Sequence, residues 1–160
     1  MTSEPAPPTL VPTSPTPASG TIRLRVRYCE CDPMGVVHHA SFIPWLEMAR
    51  TELLRTTGVT YADMERAGFF LVITKLECRY RRPGRYDDLV EVRTRVVGGS
   101  GVKILHEYEV FAVERSAAGA GEPPTEMPQL LVAASTTLAC VGRDGKIREL
   151  PGFLVAPPAA

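Results

Sequence analysis

The sequence predicts an α+β fold in which a curved antiparallel sheet of about five strands wraps around one long central helix. Three observations carry this expectation. Only one long amphipathic helix pattern occurs, over residues 41–57. One strand-like segment precedes it and four follow it. Short glycine-containing breaks separate several of the later segments, which favours hairpins and hence antiparallel pairing. A helix stripe and one sheet face then bury each other.

Residues 1–20 are rich in Pro, Thr, Ser and Ala. So few bulky apolar groups cannot offset the entropy of ordering, and a disordered Pro-rich tail is expected. Residues 21–28 alternate apolar and polar, with Ile22, Leu24 and Val26 facing a core. In the helix pattern Phe42, Leu46, Ala49 and Leu53 recur at helical spacing, and Trp45 and Leu54 widen the stripe. Gly58 ends it, since glycine tolerates a left-handed C-cap. Residues 60–67 read as a short second helical turn. The period then changes, and 69–80, 89–97, 102–113 and 129–141 read as strands. Breaks fall at Arg82-Pro83-Gly84, at Gly98-Gly99-Ser100-Gly101 and at a long loop over 116–128. One domain over 21–156 is expected, with 157–160 a short flexible tail.

The chain has 160 residues, 18 basic and 18 acidic, for a formal net charge of zero. That balance gives no electrostatic reason to expect nucleic acid or a membrane surface as partner. No apolar run approaches the ~20 residues of a membrane span. The N-terminus lacks a secretory signal. Of four cysteines, Cys29 and Cys31 are too close to pair easily, and Cys78 and Cys140 sit in strand-like runs as small hydrophobes. A reduced, cytoplasmic protein is expected.

Chemistry concentrates in Glu30-Cys31-Asp32-Pro33-Met34-Gly35-Val36-Val37-His38-His39. Asp32 stands at the end of the first strand, ahead of a helix whose first N–H groups lack intrahelical partners and carry the positive end of the dipole. A carboxylate beside such donors suits attack on a carbonyl whose oxygen becomes negative. The competing reading of Asp32 is a turn or capping residue. His38 and His39 are either functional or simply polar residues at a helix start, and His106 reads as a packed or interface histidine. Glu47, within the helix, is the rival carboxylate. Cys29, Cys31, His38 and His39 make a poor metal site, because a C-x-C pair at a strand end points its side chains oppositely. Arg79, Arg81, Arg82 and Arg85 surround a Pro-Gly turn, either as phosphate partners or as a solvated cluster. No nucleophile-elbow, P-loop or dinucleotide motif occurs.

The run from Tyr28 to Arg50, with Asp32, Gly35-Val36-Val37, His39, Phe42, Glu47 and Ala49-Arg50, resembles the signature of the hotdog-fold acyl-CoA thioesterases. It is most similar to the 4-hydroxybenzoyl-CoA thioesterase branch and its relatives found beside the Tol-Pal genes. The likeness continues through Gly58 to Arg82-Pro83, and more weakly through Tyr86-Asp87-Asp88-Leu89 to about Pro151. The resemblance implies a hotdog domain that hydrolyses acyl-CoA thioesters to a free acid and coenzyme A without a cofactor. It implies a homodimer or homotetramer with the site at the subunit boundary. The family's carboxylate falls on Asp32 and its oxyanion donor on the His39 backbone N–H. The His39 side chain matches a histidine thought to assist that carboxylate in the Tol-Pal-associated branch. Gly35, Val37, His38 and His39 then form the oxyanion and substrate-binding rim. Glu47 matches the acid of a second branch and is expected here to pair with Arg50 or a partner strand. Where many members have Tyr, this chain has His38. The acyl group stays open, with Phe69, Phe70 and Val72 as candidate lining. The alternatives are a non-catalytic acyl-CoA or acyl-carrier-protein binding module and, more distantly, a hotdog dehydratase.

Overall fold

The apolar stripe of the helix pattern becomes α1 (Phe42–Arg55), which buries Phe42, Trp45, Leu46, Ala49, Leu53 and Leu54. Pro44 sits in its first turn, where a missing N–H leaves no intrahelical bond unmade. The computed structural model describes residues 8–115 and 126–154. Around α1 run β1 (Ser19–Arg25), β2 (Phe70–Tyr80), β3 (Leu89–Ser100), β4 (Lys103–Glu114) and β5 (Gln129–Val141). A short helix α2 (Tyr61–Arg66) follows α1 and is capped reciprocally by Thr60 and Asp63. The sheet order is β1-β3-β4-β5-β2, with every pairing antiparallel. This is the hotdog arrangement that the resemblance implies.

Sheet alternation supplies the other half of the core. Val90, Val92, Tyr108, Val110, Leu131 and Val132 meet Phe42, Trp45, Leu46 and Ala49 in one cluster. A second cluster, around Leu54, Val59, Met64, Ile104, Leu138 and Leu150, closes the far end of α1. Gly58 does end the helix region, at φ 83°. Among the described residues, no helix is long and apolar enough to cross a membrane.

Three local differences from the expected elements have physical causes. β1 stops at Arg25 rather than near Tyr28, because its partner β3 begins at Leu89, opposite Arg25. Residues Tyr28–Glu30 turn into a 3-10 helix instead. The glycine break at 98–101 is mostly strand. β3 runs on to Ser100, which pairs with Lys103, after an irregularity between Val96 and Gly98. A Cβ at Gly99 would lie 2.4 Å from the Lys103 carbonyl oxygen, so this glycine permits close backbone approach.

The third difference is at the N-terminus. Residues 8–18, expected within a tail, form a strap across the end of α1. Thr13 N–H and Oγ1–H both donate to the Thr57 carbonyl, at 2.7 and 3.1 Å. Ser14 Oγ–H donates to Thr56 O at 2.8 Å, and Thr16 Oγ1–H to Phe153 O at 2.5 Å. Leu10 packs on the second cluster. Composition alone hides this, because the strap is held by hydroxyls rather than by buried area. Removing residues 1–17 is expected to cost about 4 kcal/mol, at roughly 1 kcal/mol for each of the four lost hydrogen bonds. Denaturant melts of full-length and shortened chains measure it, and equal midpoints would refute the strap's contribution. Most of the loop expected over 116–128, at 116–125, and the tail expected over 157–160 lie outside the described residues.

Candidate active site

Residues 30–38 form a small hairpin. His38 N–H donates to Glu30 O at 2.9 Å, Cys31 bridges Val37, and Asp32 N–H donates to Val36 O at 2.9 Å. The tip is Asp32-Pro33-Met34-Gly35, closed by Gly35 N–H to Asp32 O at 2.9 Å. Asp first, Pro second and Gly fourth is the residue preference of a type I turn. Gly35 takes φ 77°, which a side chain would strain. Asp32 is half-buried. Its Oδ1 accepts the Met34 N–H at 2.8 Å, so the turn-forming role is real. Its Oδ2 makes no hydrogen bond among the described residues.

The hairpin feeds a 3-10 turn, His39–Ser41, and then α1. His38 is the N-cap, and its ring Nδ1 accepts the Ala40 N–H at 3.2 Å. Ser41 N–H donates to His38 O at 2.9 Å. The His39 N–H has no partner among the described residues, which leaves one free donor at the helix start. The His38 and His39 rings lie 4.1 Å apart and both residues are exposed. Tyr80 of β2 donates its hydroxyl to the His39 carbonyl at 3.0 Å, tying the helix start to the sheet.

The hairpin also docks on the turn before β3. Val37 N–H donates to Gly84 O at 2.8 Å, and Val36 bridges Arg85. A Cβ on buried Gly84 would stand 3.0 Å from Val37 and 3.1 Å from Leu131, so the fit is close. Fully buried Asp88 accepts the Arg85 N–H at 2.9 Å and pairs with Arg115 at 3.4 Å.

Glu30 sits beneath the hairpin, 6% exposed. It accepts the Trp45 indole N–H, the Arg27 backbone N–H and the Arg27 guanidinium, each at 2.8 Å. Burial pushes its carboxyl up, but the Arg27 and Trp45 hydrogen bonds outweigh this and hold it below the usual range.

Residues 26–153 match the family model of the thioesterase-like superfamily. The chain belongs to that superfamily. It is 31% identical over 129 residues to a putative esterase of Aquifex aeolicus, covering 81% of this chain and 89% of the relative. It is 29% identical over 134 residues to the acyl-CoA thioester hydrolase YbgC of Escherichia coli O6:H1, covering 83% and 90%. To the putative acyl-CoA thioesterase YneP of Bacillus subtilis it is 33% identical over 88 residues, covering 55% of this chain but only 64% of YneP. A probable thioesterase from Bartonella henselae superposes with a TM-score of 0.71 at 28% identity, covering 84% of this chain and all of that one. A 4-hydroxybenzoyl-CoA thioesterase variant solved with 4-hydroxybenzoyl-CoA superposes at 0.67 with 19% identity, covering 85% and 95%, a likeness of fold alone.

In this thioesterase-family chain the sequence-selected residues separate spatially. Gly35, Val37, His38 and His39 lie on the hairpin and helix start with Asp32. Glu47 does not join them. It is exposed and pairs with Arg50 at 3.1 Å, as expected from sequence. Arg79 lies on the sheet face away from α1, because it alternates with core-facing Cys78. It lines an open depression of about 750 Å³ with Glu77, Arg93, Arg95, Glu107 and Glu109. Three arginines against three glutamates give no net charge there to attract phosphates. Arg81 and Arg82 are exposed, with backbone N–H groups on the Leu131 carbonyl. Cys29 and Cys31 are free thiols, as are Cys78 and Cys140.

A polar pocket inside the second core was not foreseen. Arg50 and His106 are 6% and 5% exposed, and Arg50 Nε and His106 Nδ1 lack hydrogen-bond partners among the described residues. Both line a void of about 20 Å³ with Tyr61, Leu53 and Leu71. That is room for about one water. Burial, aided by the Arg50 charge, pushes His106 down to about 4, and burial pushes Tyr108 up to about 12. Sequence signals this only weakly, through a histidine and an arginine falling at core-facing positions.

Proposed function

We propose that this chain hydrolyses acyl-CoA thioesters at the Asp32 hairpin. The observation that carries the reading is the His39 N–H at the helix start, without a partner among the described residues, at the end of the short hairpin whose tip bears Asp32 with an Oδ2 that makes no hydrogen bond among them. The carbonyl oxygen of the thioester takes the His39 N–H, which with the helix dipole stabilises the developing negative charge. Asp32 then either attacks the carbonyl carbon or removes a proton from the water that attacks it. In the first route an acyl–aspartyl anhydride forms as the C–S bond breaks, and water later hydrolyses it. In the second the tetrahedral adduct collapses directly. Either way the acid and coenzyme A thiol leave. A thioester carbonyl is activated enough that neither route calls for a metal or redox cofactor. To the His39 ring, 4.1 Å from that of His38, falls the assisting role that the family resemblance implies.

A second copy completes the site. β2 is an edge strand, with Val72 and Ile73 exposed at 42% and 43%. Antiparallel pairing of two such edges removes the exposed ladder. Because Tyr80 of that strand holds the His39 carbonyl, pairing there brings the partner against the helix start. Arg81 and Arg82, exposed just beyond β2, and Arg85 remain the candidate partners of the coenzyme A phosphates.

Free-thiol release from benzoyl-, hexanoyl- and palmitoyl-CoA tests the reading. Turnover of at least one is expected. Binding of these thioesters with no thiol release would instead favour a non-catalytic binding module.

A further inference from the structure

We infer that Glu30 is a positioning residue of the hydrolytic site: it grips α1 through its carboxylate and the helix start through its carbonyl, and so fixes where Asp32 stands relative to the His39 N–H. The inference rests on the reading of Asp32 and His39 given above.

Two independent sets of bonds meet at this one residue. Its carboxylate is tied to Trp45, which is 1% exposed and belongs to the rigid part of α1. The Arg27 guanidinium shares Oε1 with the Trp45 indole, and the Arg27 backbone N–H holds the other oxygen, Oε2. Its backbone carbonyl accepts from His38 N–H at 2.9 Å and from Ser41 Oγ–H at 3.0 Å. His39 lies between those two donors in sequence, and Asp32 is two residues beyond Glu30. The residue therefore links the strand that presents the carboxylate to the turn that presents the free N–H.

A buried carboxylate is a costly way to fasten a turn that needs only shape. An apolar side chain would fill the space, but it would leave the Trp45 indole N–H without an acceptor and release the hairpin from α1. What the carboxylate adds is direction: three donors converge on it and fix its orientation. Reaction rates respond to such placement, since a misplacement of about 1 Å can cost about 100-fold.

Three variants separate positioning from bulk stability. Glu30→Leu fills the space and removes every acceptor. Glu30→Gln keeps one oxygen for Trp45 and the Arg27 guanidinium but turns an amide donor toward the Arg27 backbone N–H. Trp45→Phe keeps an aromatic ring in the core and removes only the indole N–H. Thiol release from whichever of benzoyl-, hexanoyl- and palmitoyl-CoA the wild type turns over fastest gives kcat and KM, read well below each variant's melting temperature. The expected result is a kcat loss of about 100-fold for Glu30→Leu, about 10-fold for Glu30→Gln and several-fold for Trp45→Phe, with KM nearly constant. Partial rescue by Gln over Leu is part of the expectation. Should Glu30→Leu fail to fold, the other two decide the matter. Wild-type kcat in both Glu30→Gln and Trp45→Phe overturns the inference, as does a change confined to KM. Asp32→Asn is assayed alongside. If it is inactive while the Glu30 and Trp45 variants are fully active, Glu30 alone has been misread. If it is fully active, the site itself is wrong and this inference goes with it.

Discussion

Asp32→Asn is expected to lower kcat/KM for thioester hydrolysis by about a thousandfold, within the range that loss of a positioned acid or base produces. Asn is the informative replacement because of the turn. The Asp32 carboxylate has two roles on its two oxygens: Oδ1 holds the Met34 N–H, and Oδ2 is open. An asparagine carbonyl can still accept the Met34 N–H, so the hairpin keeps its shape, and stability should change by only a few tenths of a kcal/mol. What disappears is the negative charge, and with it the proposed nucleophile or base. Asp32→Ala removes the turn bond as well, at roughly 1 kcal/mol. Equal activity loss in the two variants with unequal melting temperatures would separate chemistry from folding. Retained turnover in a folded Asn variant would reject the mechanism.

The second large effect concerns acid stability. His106 faces Arg50 from α1 and Tyr61 from α2, with Tyr108 on its own strand and Thr136 across the ladder on β5. Its folded pKa of about 4 lies below the ordinary 6.5. As pH falls below 6.5 the unfolded chain takes up a proton that the native chain refuses, so stability falls until about pH 4. The full span is about 3 kcal/mol, of which about 2 kcal/mol is lost between pH 7 and pH 5. Glu30 and Glu91 have depressed pKa values, so their contributions are present above the ordinary carboxylate range and are lost below it. The window from pH 7 to 5 therefore belongs chiefly to the histidine. Denaturant unfolding at the two pH values, for wild type and His106→Leu, reads the difference. The variant should be flatter by about 2 kcal/mol, and parallel pH dependence in the two proteins would refute this account.

The fold was legible in sequence where a period ran long enough to be unambiguous. Phe42, Leu46, Ala49 and Leu53 declare α1, and the alternation of Ile104, His106, Tyr108, Val110 and Ala112 declares the core face of β4. What sequence could not supply was the end of β1, which depends on where β3 begins, and the strap over Thr56 and Thr57, which depends on hydroxyls finding carbonyls 42 and 44 residues away. At the candidate site, Asp32, Gly35 and the helix start were legible from local spacing. Glu30 was not. A glutamate beside a turn reads as surface charge, and its burial needs a tryptophan 15 residues on. A buried indole N–H nevertheless needs an acceptor, so the lone Trp45 in an apolar stripe was a clue.

His38 has a consequence of its own. With the Nδ1 lone pair given to the Ala40 N–H, a neutral imidazole must carry its single hydrogen on Nε2. The Nε2 edge of that ring is thus a hydrogen-bond donor. An approaching thioester would meet the same kind of polar contact that a phenol offers, which makes the exchange of tyrosine for histidine at this position chemically milder than the change of name implies.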